Sequence, residues 1–334
     1  MVKNFKLFRV SDFKRVLLLI LILLISMAFN KEILSTNEND PPLKNKKAVL
    51  LYEIPAQLGE GAFWNHETGI LYWVDIEGKQ LHLFDPQNKK DRSFPTPSRI
   101  GTVVPQNKDI AIVALEDGIY KLNTNNGALE LLSDVEAKVT ENRFNDGKCD
   151  PNGNLWVGSM DLEQKKAGAK LYKVEASGRT TVMLDKVTIS NGIVWTKDKK
   201  TMYYIDTPTR KIRAFDFNPE NSTISNERVA VQVSESLGYP DGMAIDVNDN
   251  LWVGMWNGNS VLCFDPKKGT VIDKIDVPAH NVTSCAFGGK DLNLLYITTA
   301  RVDMTDEEKE QFPLAGSLFV AEPGVKGVKS ALFK

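Results

Sequence analysis

Short apolar segments recur along the chain from about residue 49 to its end, and each follows a polar turn. The intervals between the first residues of these segments are 39, 45, 47, 49 and 44, with the segments beginning at Leu71, Ile110, Leu155, Met202, Leu251 and Leu295. A second short apolar strand follows each one. Units of roughly 40–50 residues built from short strands are typical of a propeller, whose blades surround a central channel. We therefore predict an all-β fold, a six-bladed β-propeller over residues 49–334, with a central metal-binding channel.

Two local patterns refine this prediction. Val49–Tyr52 precedes the first repeat, and pairing it with the last blade would close the ring and remove an exposed strand edge. Thr305–Glu308 has the spacing of a capping box, which predicts one or two helical turns before Pro313.

The first thirty residues differ from the rest of the chain. A basic start leads into an apolar stretch at residues 16–29, and Ser26-Met27-Ala28 offers small residues for a signal peptidase. We predict a signal peptide at residues 1–28, a polar linker at residues 29–48, and an exported protein that is periplasmic or secreted. The alternative is a membrane anchor formed by residues 16–29, although this stretch is shorter than the ~20 residues that span a bilayer as a helix.

Composition excludes some classes of function. The formal net charge is −2 with a pI near 6.0, which gives no field to attract nucleic acid. The three cysteines, Cys149, Cys263 and Cys285, lie in or beside apolar runs, and we expect buried free thiols. The sequence also lacks a GxSxG elbow, an HExxH helix and a phosphate-binding loop.

Four repeats contain a polar residue followed by glycine at a similar distance before the aligned strand, and these polar residues are candidates for a functional site. The pairs are Glu60-Gly61, Asp146-Gly147, Asn191-Gly192 and Asp241-Gly242. Asp-Gly and Asn-Gly are also common tight-turn pairs, so each pair alone could be a turn. Separate turn signals follow several residues later, however, as at residues 150–153. Equivalent positions in a propeller face the same end of the channel, so we expect these side chains to converge. Carboxylate and amide oxygens suit a hard divalent cation.

Seven motifs occur in order between about residue 49 and the end of the chain: Leu58–Trp64, Arg143–Lys148, Ile189–Gly192, Tyr203–Asp206, Pro240–Met243, Thr283–Gly289 and Gly324–Gly327. Together they resemble the motifs of the gluconolactonase, regucalcin and senescence-marker-protein family. The resemblance implies a six-bladed propeller that holds one divalent cation and hydrolyses sugar lactones such as gluconolactone. The identity of the cation stays open among calcium, zinc, magnesium and manganese.

Carried over by motif, the resemblance implies Glu60, Asn191 and Asp241 as metal ligands. Asp241 would also serve as the general acid/base. Substrate-binding roles fall on Arg143, Asn145 and, at a matching spacing but in a different local sequence, Glu163. Asp146 has no role beyond support of these residues.

These observations give a working hypothesis and two rivals. The hypothesis is a metal-dependent sugar lactonase whose partner is a small-molecule lactone, with no nucleic acid, and with a membrane only if the N-terminal segment stays uncleaved. One rival is a lactonase or esterase for a non-sugar ligand, because related propellers share a site and vary the loops around it. The other is a propeller that binds calcium or a sugar without catalysis.

The export hypothesis makes a prediction about the mature chain. If signal peptidase cleaves after Ala28, protein from the native host begins at Phe29 and is released when the envelope is opened, or accumulates in the medium. Mass spectrometry of the N-terminus measures this directly. An intact Met1 in the membrane fraction would support the anchor instead.

Overall fold

The structure is a computed structural model that describes residues 45–334, and these residues form six separate β-sheets. Of these residues, 56% lie in strands and 4% in helices. The sheets are the blades of a six-bladed β-propeller. The fold prediction is confirmed. The predicted signal segment, and the linker as far as residue 44, lie outside the described residues.

Four blades are meanders of four consecutive antiparallel strands. In chain order they are β3 (Gly59–Asn65), β4 (Ile70–Asp75), β5 (Gln80–Asp85) and β6 (Lys90–Pro95); β7 (Ile100–Pro105), β8 (Ile110–Leu115), β9 (Gly118–Asn123) and β10 (Leu129–Ser133); β11 (Asn142–Cys149), β12 (Leu155–Asp161), β13 (Ala169–Val174) and β14 (Thr180–Val187); β15 (Ser190–Trp195), β16 (Thr201–Asp206), β17 (Lys211–Asn218) and β18 (Thr223–Gln232).

The last two blades each include a strand from the beginning of the described chain. The fifth blade contains β19 (Tyr239–Ile245), β20 (Leu251–Trp256), β21 (Ser260–Asp265) and β22 (Thr270–Asp276), with β1 (Asn45–Lys47) added in parallel to β22. The sixth contains β23 (Asn281–Gly288), β24 (Leu294–Ala300) and β25 (Leu318–Ala321), with β2 (Val49–Tyr52) as its outer strand.

Strand β2 closes the ring as its sequence predicted. It pairs antiparallel with β25 through Val49↔Val320 and Leu50↔Phe319, so the sixth blade joins the two ends of the propeller. Strand β1 lies in the last residues assigned to the linker, and its pairing with β22 also covers the edge of the fifth blade.

The only α-helix among the described residues is α1 (Asp306–Gln311), between β24 and β25. Thr305 Oγ1 accepts a hydrogen bond from Glu308 N at 3.2 Å, and Glu308 Oε2 accepts one from Thr305 N at 2.7 Å. These two bonds form the predicted capping box, which pairs backbone N–H groups that would otherwise lack partners. None of the described helices has the length and apolar character to cross a membrane.

A repeated turn explains the similarity between residues 150–157 and 246–253. Asp150 Oδ2 accepts a hydrogen bond from Trp156 Nε1 at 2.9 Å, and Asp246 Oδ2 accepts one from Trp252 Nε1 at 3.1 Å. Each aspartate thus fixes a turn and satisfies the buried indole of the strand that follows. The three cysteines are free and buried, as expected from the apolar runs around them.

The first strands of neighbouring blades contact one another and surround the channel. All six of these inner strands have a register shift near their starts, between Glu60/Phe63, Ile100/Thr102, Phe144/Gly147, Ser190/Ile193, Pro240/Met243 and Val282/Ser284. A bulge adds one residue to a strand, so the side chains there no longer alternate regularly between the two faces of the sheet. The four polar-glycine pairs therefore lie in bulges of inner strands, and the alternative that they are hairpin turns is wrong.

At several of these bulges only glycine fits, because the next blade is very close. A Cβ on Gly192 would lie 2.6 Å from Met243 Cβ of the neighbouring inner strand, and one on Gly101 would lie 2.4 Å from Phe144 O. Such contacts are far inside van der Waals distance, so a side chain at these positions would push the blades apart.

Gly101→Ala should therefore destabilise the propeller by roughly 1–3 kcal/mol, the usual range for overpacking. We expect a thermal midpoint lower by several degrees in a melting experiment. Gly168→Ala is the matched control, because a Cβ there would meet nothing within 4 Å. Equal midpoints for the two variants would show that the inner strands do not pack as closely as described.

Candidate metal and substrate site in the channel

A cavity of about 540 Å³ opens at the end of the channel where the inner strands begin. Five of the predicted site residues line it, and each is buried in the channel wall: Glu60, Arg143, Asn145, Asn191 and Asp241. They come from inner strands β3, β11, β15 and β19. The structure thus brings together residues up to 181 positions apart (241 − 60).

Asn191 is oriented by a residue that the sequence analysis did not single out. Its Nδ2 donates to Thr207 Oγ1 at 3.0 Å, and Thr207 Oγ1 in turn donates to Pro240 O at 2.8 Å. The two bonds link β15 to β19 and fix which end of the amide is engaged. Asn191 Oδ1 is buried and has no partner among the described residues.

Two carboxyl groups that line the cavity, and that of Asp146 behind them, are also buried. Glu60 Oε2 accepts from Gly61 N at 2.9 Å, while Asp241 Oδ1 and Asp146 Oδ2 are buried with no partner in the described part of the chain. Burial, together with the charge of Asp146, raises the pKa of Glu60 to about 8. Burial and the charge of Glu60 raise the pKa of Asp241 well above its usual range. Glu60 and Asp241 therefore disfavour each other's charge unless a cation compensates it.

Glu60, Asn191 and Asp241 fit a hard divalent cation. They present a carboxylate, an amide and a second carboxylate, and the free oxygens of Asn191 and Asp241 are what an oxygen-liganded ion needs. No group of three His, Cys, Asp or Glu side chains in residues 45–334 has a metal-binding arrangement. The donor set thus depends on the amide of Asn191.

Arg143 and Asn145 form one unit on β11. Arg143 Nη1 donates to Asn145 Oδ1 at 2.7 Å and to Phe144 O at 2.9 Å, and Asn145 Nδ2 donates to Ser190 O at 2.7 Å. Burial lowers the pKa of Arg143 to about 10, which leaves the guanidinium charged at neutral pH. Its position is therefore set by Asn145, and its other N–H groups are available to a ligand.

Glu163 lies apart from the other predicted residues. It is exposed in the turn after β12, and its neighbours Leu162 and Gln164 line the cavity while Glu163 does not. A substrate-binding role for Glu163 stays a prediction.

Sequence reasoning missed the Arg99 cluster at the rim. Arg99 Nε donates to Glu77 at 2.9 Å and its Nη1 donates to Glu116 at 2.9 Å, and hydrogen bonds to these two acids raise the pKa of Arg99. Arg99 precedes the bulge of β7, where the second repeat has Ile100-Gly101 in place of a polar-glycine pair. Because this blade lacks a polar residue before the glycine, it lacks the signal that marked four of the other blades.

Residues 58–301 match the model of the family described as the SMP-30/Gluconolactonase/LRE-like region. A Bacillus subtilis protein provisionally named sugar lactone lactonase YvrE is 41% identical over 286 residues, covering 86% of this chain and 98% of its own length. A 6-deoxy-6-sulfogluconolactonase of Pseudomonas putida is 33% identical over 279 residues, with coverages of 84% and 96%. A calcium-binding regucalcin from Agrobacterium tumefaciens superposes with a TM-score of 0.83 at 25% identity, with coverages of 87% and 98%.

The bond between Thr207 and Asn191 can be tested by substitution. Thr207→Val keeps the shape of the side chain but removes the acceptor that orients the amide, so we expect cation affinity to fall by about 10–100-fold, as is typical when a group behind a ligand is lost. Calorimetric titration with calcium or manganese measures this. Thr209→Val is the control, since Thr209 lies exposed in the same short 3₁₀ helix and donates only to Asp206 O. Equal affinities for the two variants would remove Asn191 from the cation site.

Proposed function

Because the chain belongs to the SMP-30/Gluconolactonase/LRE-like family, we propose that it hydrolyses a sugar lactone with the help of one divalent cation in the channel. The observation that carries this proposal is the convergence of Glu60, Asn191 and Asp241, where Asn191 and Asp241 each have a buried oxygen with no partner among the described residues. Relatives named as lactonases over nearly the same length support the substrate class.

Lactone hydrolysis has three chemical requirements. A water must be activated, the ester carbonyl must be polarised, and the departing alkoxide must receive a proton. A divalent cation bound by Glu60, Asn191 and Asp241 would supply the electrophilic part of this chemistry. The protein itself must then hold the lactone against that site and move the proton.

We assign the proton transfer to Asp241. Its Oδ1 is buried and unpaired in the described propeller, and the residue lines the cavity in which the lactone would lie. A carboxylate in this position can accept a proton from the attacking water and return it to the departing alkoxide.

Arg143 and Asn145 are assigned to substrate binding. Arg143 cannot ligate a cation, and its charge is held on the cavity wall by Asn145 and the Phe144 carbonyl. Charged N–H donors fixed in this way suit the ring hydroxyls or the carbonyl of a sugar lactone. A cavity of about 540 Å³ is large enough for one such ring with bound water.

The donor set also bears on the cation. Among the described residues that line the cavity there is no histidine or cysteine, and the candidate ligands offer only oxygen. Oxygen ligands favour calcium, magnesium or manganese over zinc, which more often takes nitrogen or sulfur.

Two isosteric variants separate metal binding from proton transfer. Asp241→Asn keeps an oxygen that can ligate but removes the basic group, so we expect bound cation and a turnover lower by about 10²–10⁴-fold. Glu60→Gln should weaken cation binding, with activity partly restored by excess cation. Metal content and hydrolysis of a panel of sugar and non-sugar lactones are measured for both variants and the wild type across a cation titration, after dialysis against a chelator.

The outcomes are distinct. Wild-type turnover by metal-loaded Asp241→Asn would show that Asp241 does not transfer the proton. Cation binding without hydrolysis of any lactone would favour the non-catalytic propeller, and hydrolysis of non-sugar lactones alone would favour the other rival. Full activity of the chelator-treated wild type would remove the cation from the reaction.

A further inference from the structure

A second cavity, of about 260 Å³, lies at the opposite end of the channel. The first cavity is lined by residues at the starts of the inner strands, whereas this one is lined by residues at the ends of β11, β15, β19 and β23. The C-terminal tail, residues 325–334, crosses this end and supplies the remaining wall.

The charge of the second cavity is opposite in sign to that of the first. Four lysines line it, Lys148, Lys197, Lys199 and Lys329, and no acid does so among residues 45–334. None of the four forms an ion pair with a described carboxylate. Acids in the adjacent turns bind backbone instead, since Asp198 Oδ1 accepts from Lys200 N and Asp249 Oδ1 accepts from Lys197 N, both at 3.0 Å.

Two buried donors give this cavity more than surface charge. Lys148 is only 9% exposed, and its Nζ donates to Met243 O at 2.7 Å, which uses one of three N–H groups. Trp195 is 7% exposed, and its indole N–H is buried without a partner in the described structure. Lys148 keeps two further N–H groups and Trp195 keeps its indole N–H. A buried donor without an acceptor is costly, so a ligand with acceptor oxygens can satisfy both residues.

The wall that carries Lys329 is fixed in place. Val328 N donates to Ile245 O at 3.1 Å, Ala331 pairs with Cys149, and Lys334 N donates to Gly153 O at 3.0 Å. Backbone bonds on both sides therefore hold the main chain at Lys329 over the ends of β11 and β19, while its side chain, like those of Lys197 and Lys199, is exposed. A fixed main chain limits the positions that the Lys329 ammonium can reach, so less freedom is lost on binding.

We propose that the second cavity binds a small oxyanion through Lys148, Lys197, Lys199 and Lys329, with the Trp195 indole as an additional donor. Lysine ammonium groups donate charge-assisted hydrogen bonds to the oxygens of an anion. The oxyanion has two sources, an inorganic ion such as phosphate or the carboxylate of a sugar acid, which is the product class of the proposed hydrolysis. The site does not depend on that function, because none of its residues belongs to the first cavity.

Indole N–H resonances of the full-length, ¹⁵N-labelled protein test this proposal. Trp195 reports on the second cavity and Trp256, which lines the first, is an internal reference; Trp195→Phe and Trp256→Phe assign the two peaks. Sodium phosphate and sodium gluconate are titrated separately against sodium chloride at constant ionic strength. We expect the Trp195 peak to move saturably with at least one of the two oxyanions and to stay in place in chloride.

Matched variants locate the response. Lys197→Gln and Lys329→Gln should each weaken the oxyanion affinity by about tenfold, the cost of one charge-assisted bond. Lys200→Gln changes the same charge in the same turn but does not line the cavity, so it should bind as the wild type does. A response to phosphate alone or gluconate alone identifies the source. A Trp195 peak that moves with neither ion, or an equal loss of affinity in Lys200→Gln, would overturn the proposal.

Discussion

The close approach of the six inner strands is the constraint on which the candidate site depends. At Gly101, Gly192 and Gly242 a Cβ would lie under 3 Å from atoms of the next inner strand. Each strand therefore bulges at this level, and the side chain beside the glycine turns away from the regular alternation of the strand. Since all six strands bulge near their starts, side chains from several blades meet at one end of the channel.

The same geometry buries three carboxyl groups, which is electrostatically unfavourable when they are charged. Glu60, Asp146 and Asp241 are all buried, and burial raises the pKa of each because a carboxylate loses its water there. Lys148, two residues beyond Asp146 on β11, offsets part of this by favouring the charged form of Asp146. The remaining two acids still face each other with Asn191 beside them, which is an arrangement that a divalent cation would stabilise.

Much of the fold and part of the site could be predicted from sequence. The spacing of apolar strands predicted six blades, and Val49–Tyr52 was predicted to close the ring because it precedes the first repeat. Glu60, Asn191 and Asp241 could be predicted because they occupy equivalent positions in their repeats.

Other residues of the cavity carried no such signal. Thr207 and Arg99 have no counterparts at equivalent positions of the other repeats. Glu163 was predicted from spacing alone, but it lies in a turn, where the local conformation decides which side chain faces the cavity. The four lysines of the second cavity come together only when the C-terminal tail crosses the channel, which no local pattern reveals.

We propose that Glu60, Asn191 and Asp241 bind one cation together in the channel. A crystal structure of the protein grown with calcium, with anomalous scattering data to locate the ion, tests this most directly. We predict one calcium in the cavity, with an oxygen from each of the three side chains at about 2.3–2.6 Å. Calcium bound only elsewhere, or in the cavity without contacts to these residues, would show that the three side chains are not its ligands.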